Sequence, residues 1–190
     1  MTSDLDLNQY AYVFFVCEGT NEEAVFNWIE SKQRLCISPD KYNKEFLRTG
    51  HTKQGKRNLI KECLEYDYNG KVAIAHIRDR ENENWNLTRA DKKLMQLRHI
   101  EIIPLVTMPE IEYLLIINNQ QLLKAWNKQS KQNKKLHISD FCKAQFSKTI
   151  KDGSTFIANF NSFEDFVLAC QKYKTQKADQ KGHYLIDIIK

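Results

Sequence analysis

Residues Ala11 to Cys17 (AYVFFVC) form an unbroken aromatic and β-branched run, the pattern of a strand covered on both faces in a parallel sheet. The run stops at Glu18-Gly19. Apolar residues then recur at helical spacing (Ala24, Val25, Trp28, Ile29), and Thr20 with Glu23 three residues on reads as a capping box. A helix is therefore predicted over about Asn21 to Gln33. Cys36 to Leu47 is expected to hold a short strand, and the polar stretch Arg48 to Gly55 a mobile loop. A second helix is predicted from about Lys56 to Tyr66, with Leu59, Ile60, Cys63 and Leu64 on one face. Asn69-Gly70 forces a turn into Lys71 to Ile77 (KVAIAHI), a second buried strand. The charged segment Arg78 to Trp85 leads to a helix over about Thr88 to Arg98, and Ile100 to Val106 (IEIIPLV) reads as a third strand. Pro109 suits the first turn of a further helix, with Glu110 and Glu112 near its positive end and Ile111, Leu114, Leu115 and Leu122 toward the core.

Strands alternating with helices at these intervals imply βαβ units, hence an α/β fold with a mostly parallel sheet flanked by helices. That pattern covers Tyr12 to about Asn119. Beyond it the chain reads as largely helical, over Gln120 to Gln129, Ser139 to Ser147 and Ser162 to Lys174. No internal repeat and no long linker is visible. The expectation is one domain over 1–190, with an α/β core at about 10–119 and a helical C-terminal extension at about 120–190.

The 190 residues are 42% hydrophobic with 6 Gly and 3 Pro, an ordinary globular composition. The longest apolar runs fall far short of the ~20 residues that span a bilayer, and the acidic N-terminus lacks a signal-peptide stretch. A soluble, cytoplasmic protein with no membrane partner is expected. The five cysteines are dispersed, without a CxxC pair, and read as buried free thiols. The histidines lack HxxxH or HExxH spacing, so no zinc chemistry is indicated.

The net charge of +5 is unevenly placed. Arg48 to Arg57 (RTGHTKQGKR) and Lys124 to Lys135 (KAWNKQSKQNKK) contain no acid, and Lys172 to Lys181 holds four Lys against one Asp. One such run is ordinarily a solvated face. Three together lean toward a polyanion, with Arg48, Lys53, Lys56, Arg57, Lys128, Lys131, Lys134 and Lys135 as candidate contacts to nucleic acid. Gly50 to Arg57 nearly spells a phosphate-binding loop, but Arg57 replaces the hydroxyl that would hold Mg²⁺ and no buried strand precedes it. A basic loop against a nucleic-acid backbone asks less of these residues. Trp85 and Trp126 lie near basic residues and could stack on bases, although a Trp beside a helix more often packs.

In open α/β sheets the reactive groups lie at the carboxyl ends of the strands. Three acids are predicted there: Glu18 after the first strand, and Asp79 and Glu81 after the second, in a D-x-E spacing that sets both on one side of an extended segment. Taken singly, a Glu-Gly is a turn and an acid near a helix N-terminus, and DRE is a solvated turn. Taken together, in these contexts and this order, they form a candidate site for a hard divalent cation.

Here the chain resembles a family. VFFVCEGTNEEAVF resembles the strand, Glu-Gly, helix signature of Toprim domains, and VAIAHIRDRE their strand ending in D-x-D, with Glu81 in place of the second Asp. Within that family it is similar to the small OLD-type and RloB-like proteins of bacterial anti-phage systems, through Cys17, Glu18, Gly19 and Glu22 and through PEIEYLLI, which puts Glu112 at a downstream acid. The resemblance implies a Toprim-like (Rossmann-like) fold over Tyr12 to about Ile117 and a phosphodiesterase acting on DNA or RNA with Mg²⁺ or Mn²⁺. Asp79 and Glu81 would hold metal, and Glu18 would ligate a second ion or act as general base. Glu22 and Glu112 are further metal candidates, although Glu22 reads more simply as a helix N-terminal acid. A separate ATPase partner is also implied, and homo-oligomerisation is left open. Two alternatives stand beside this reading: a ribonuclease M5-like RNA-maturation enzyme, and a non-catalytic nucleic-acid-binding or partner-binding subunit that keeps the fold.

Overall fold

A computed structural model describes residues 5–79, 85–107, 110–177 and 182–190. Glu81 and Pro109 lie outside these. The sheet has four parallel strands in the order β2-β1-β3-β4, formed by β1 (Tyr12–Cys17), β2 (Tyr42–Asn43), β3 (Val72–Arg78) and β4 (Ile100–Val106). The continuous apolar runs are explained by cover on both faces. Val13, Phe15, Cys17, Ala73, Ala75 and Ile77 point into the larger core, while Phe14, Val16, Val72 and Ile74 point into a smaller one on the other side.

The smaller core is closed by α2 (Lys53–Glu65), through Leu59, Ile60 and Cys63, and by Met95 of α3 (Arg89–Leu97). The larger is closed by α1 (Thr20–Ser31), α4 (Tyr113–Ile117), α6 (Ile138–Gln145), α7 (Gly153–Ala158) and α8 (Phe163–Gln176). The helix α5 (Gln120–Gln132) buries no residue fully, but leans Leu122, Leu123 and Trp126 on that core. The C-terminal helices are thus no appendage, because Phe141, Phe156 and Phe166 are part of the core under β1 and β3.

Local chemistry sets the element ends. The Thr52 hydroxyl accepts from the Gly55 amide and starts α2 at Lys53, earlier than its apolar stripe suggests. Thr88 and Asp91 form a reciprocal capping box on α3. The capping box expected at Thr20 is absent: Gly19 is the N-cap, and the Thr20 hydroxyl instead donates to the Lys151 carbonyl at 2.7 Å, tying α1 to the approach to α7. Nor is Arg48 to Gly55 a loose loop. Cys17 N–H donates to Leu47 O at 2.7 Å, Gly50 N–H to Phe46 O at 2.7 Å and Thr52 N–H to Thr49 O at 3.0 Å, so the segment is turned tightly against the end of β1.

Pro104 sits within β4, which is tolerated because β4 is an edge strand and a missing N–H costs no inner ladder bond. At the end of that edge Val106 N–H donates to His183 O at 2.9 Å, and Leu105 bridges His183. No described helix is long and apolar enough to cross a membrane. The cysteines are free thiols, all buried except Cys36, which is partly so.

Candidate active site

After β1 the chain crosses to β2 on one side, and it next joins the sheet as β3 on the other side of β1. The carboxyl ends of β1 and β3 therefore flank the point where strand order reverses, the position at which open α/β sheets form a crevice. Glu18 and Asp79 are the first residues beyond those two strands and their backbones interlock. Glu18 N–H donates to Ile77 O at 3.0 Å, and Asp79 N–H donates to the Glu18 carboxylate at 3.1 Å. Thr107, just past β4, donates its hydroxyl to Asp79 Oδ1 at 3.0 Å and to Arg78 O at 3.1 Å.

A third acid enters from α1. Glu22 is 4% exposed and hydrogen-bonds Asp79. Gly19 makes this fold-back fit, since a Cβ there would collide with the Glu22 carboxylate. Glu112, 5% exposed at the start of α4, accepts from the Asn21 side-chain amide at 3.0 Å. Asn21 also donates to Ile150 O at 3.2 Å, so the first turn of α1 links α4 to the chain before α7.

The electrostatics follow from this crowding. Burial, then the nearby charge of Asp79, lifts the Glu22 carboxyl to about 8, with Glu112 and Glu18 adding to the effect. Asp79 rises to about 6, chiefly from burial; the charges of Glu18 and Glu110 push the same way, and the Thr107 and Glu22 hydrogen bonds pull it back. Burial also raises Glu112. At neutral pH Glu22 therefore keeps its proton and donates it to Asp79. The neighbouring Cys17 thiol is pushed well up by burial and by Glu22 and Glu23, so it stays a protonated core group and not a nucleophile.

Four of the five sequence-derived acids, Glu18, Glu22, Asp79 and Glu112, belong to this site; Glu81 lies outside the described residues. Glu22, read from sequence as a helix-dipole acid, is instead the most buried of them. Thr107 and Asn21 were not anticipated. The first had a signal in the sequence, a hydroxyl directly after an apolar strand. Among the described residues no three His, Cys, Asp or Glu side chains form a ready metal-ligand set. The donor chemistry does fit a hard cation, because all are carboxylate oxygens, and Mg²⁺ commonly takes one or two carboxylates and keeps several waters.

The basic residues divide. On α5, Lys128 and Lys131 are exposed, as are Lys134 and Lys135 just beyond it. Lys53 and Arg57 are exposed on α2, whereas Arg48 is half-buried and ion-paired to Glu23 at 3.1 Å. Lys56 departs from the expected surface contact: it is 9% exposed, with its ammonium 5.4 Å from the centre of the Trp85 ring. Trp85 is correspondingly packed, edge-on to His76 at 5.4 Å, and is not an open stacking platform. Burial and the charges of Arg78, Lys56 and His51 depress His76 to about 3, so it is neutral.

Fold and site together define an α/β protein with a four-stranded parallel sheet and an acidic cluster at its switch point. No protein-family model, curated protein or solved structure matches the chain.

Proposed function

We propose that the chain is a divalent-metal-dependent phosphodiesterase of Toprim type acting on nucleic acid. The observation that carries the reading is the meeting of Glu18, Asp79 and Glu22 at the carboxyl ends of β1 and β3, with two of the three carboxyls held above their ordinary range. The charges of Glu18 and Asp79 meet there, beside the protonated Glu22, at a cost that a cation would offset. Bound there, Mg²⁺ or Mn²⁺ would stabilise charge on the phosphoryl oxygens and acidify a bound water. The chain's own residues divide the remaining work. Thr107 and the Asp79 amide fix the orientations of Asp79 and Glu18 respectively, Asp79 presents its carboxylate as the candidate ligand, and Glu22 holds or releases a proton beside it. The exposed lysines of 128–135 would carry the substrate backbone, consistent with their charge and exposure.

The experiment incubates the protein with plasmid DNA, single-stranded DNA and total tRNA in Mg²⁺, Mn²⁺ or EDTA. Cleavage is expected with metal only. Asp79→Asn should abolish it while weakening nucleic-acid binding by no more than tenfold, ~1.4 kcal/mol. Cleavage that survives Asp79→Asn, or a variant that does not fold, would mean that the acids are structural. A second reading, a binding subunit that keeps the fold without catalysis, is favoured by the lack of a ready three-ligand set among the described residues. It would show no metal-induced rise in melting temperature and no cleavage under any condition.

A further inference from the structure

On the sheet face opposite α1, a groove of about 370 Å³ runs between α2 and the segment that leads from Trp85 into α3. Its volume falls in the roughly 300–1,000 Å³ range of small-ligand clefts, large enough for one nucleoside and too small for a duplex. Along α2 it is lined by Lys56, Arg57 and Lys61 together with the apolar Ile60 and Leu64, and across from them by Trp85 and Leu87. Two acids on the lining are already engaged. Glu65 lies 3.4 Å from Lys61 in an exposed pair, and Asp91 accepts from the Thr88 amide and hydroxyl in the α3 capping box. Trp85, 7% exposed, forms the floor of the groove. Trp85 follows Asp79 by six residues, so along the backbone the groove floor lies at most about 20 Å from the acidic cluster.

Apolar surface beside exposed cations matches a base and its phosphate. Only an unpaired base can offer its face to such a surface, since a duplex keeps its bases stacked inside and shows phosphates on a convex surface. We propose that this groove is a subsite for one nucleotide of a single-stranded nucleic acid, its base against Ile60 and Leu87 and its phosphate on Arg57 and Lys61. The assignment rests on the reading of the chain as a nucleic-acid protein but not on the acids being catalytic. A strand seated in the groove would pass within a few nucleotides of Asp79.

The test is run in EDTA on the Asp79→Asn background, so that loss of catalysis or of metal binding leaves it intact. Fluorescence anisotropy reads the binding of a ten-nucleotide oligo(dT), the matching oligo(dT)–oligo(dA) duplex, and free AMP, with melting temperature as a folding control. The single strand is expected to bind more tightly than the duplex or AMP. Arg57→Ala with Lys61→Ala, both exposed positions, should weaken it at least tenfold and lower the slope of log affinity against log salt by about 1.4, at ~0.7 for each phosphate that is no longer neutralised. Leu87→Ala should weaken it about threefold or more with the slope unchanged. The inference is overturned if oligo(dT) does not bind, if the duplex binds as well as the single strand, or if AMP binds more tightly than either. Affinity and slope that ignore the α2 substitutions, or affinity that ignores Leu87→Ala, would also overturn it.

Discussion

Glu22 carries a pH signature of its own. Its carboxyl titrates near 8 in the folded protein against an ordinary 4.5, so between those values the folded state holds a proton that the unfolded state has lost. Stability from this group is complete below about 4.5 and drains away as pH rises through 8. Glu22→Gln keeps an amide donor for Asp79 and removes the titration. In EDTA at pH 8.5 the variant is expected to melt higher than the parent, by roughly 2–4 °C for each kcal/mol relieved, with the difference closing by pH 5. Thermal melts at four or five pH values check this, and a variant that melts lower throughout would contradict the proton placement. Glu18 and Asp79 were legible in sequence because each directly ends an apolar strand, where strand geometry alone dictates position. The burial of Glu22 was not. A helix N-terminal acid looks the same whether it faces water or turns back, and the absence of a Cβ at Gly19 leaves room for the second.

At the scale of elements, the strongly patterned segments announced themselves: β4 occupies the predicted Ile100–Val106, and α8 opens at Ser162 as its cap foretold. The helix α7 was missed because its six residues, Gly153–Ala158, are too few to show a periodic stripe, and Asp152 alone marks its start. Its place in the fold comes from Gly153, which lies so close to α1 that a Cβ would strike the Ala24 side chain and come within 2.8 Å of Thr20 O. Gly153→Ala should therefore force α7 away from the turn that holds Asn21 and Glu112, at a cost of about 1–3 kcal/mol. Gly182→Ala is the control, since its Cβ would meet nothing nearer than the Tyr184 hydroxyl at 3.7 Å. Denaturant midpoints are expected to drop for the first and stay within about 0.5 kcal/mol of the parent for the second.

Across the whole molecule, charge is divided: the acids converge inside the strand-end crevice, and the lysines of 128–135 stand exposed on and beyond α5. Replacing Lys128, Lys131, Lys134 and Lys135 with Ala should weaken nucleic-acid binding and lower its salt slope by up to about 3.6, at roughly 0.7–0.9 for each phosphate left without a cation. An unchanged slope in a salt titration would assign those lysines to solvation alone. The edge of the sheet bears on how two copies of the chain can meet. Pro104 offers no N–H along β4, and His183 already occupies the ladder position beside Leu105 and Val106. At that end the border is blunted against a further strand from a neighbouring molecule. Strand-to-strand association along β4 is thereby disfavoured at its carboxyl end without any added charge.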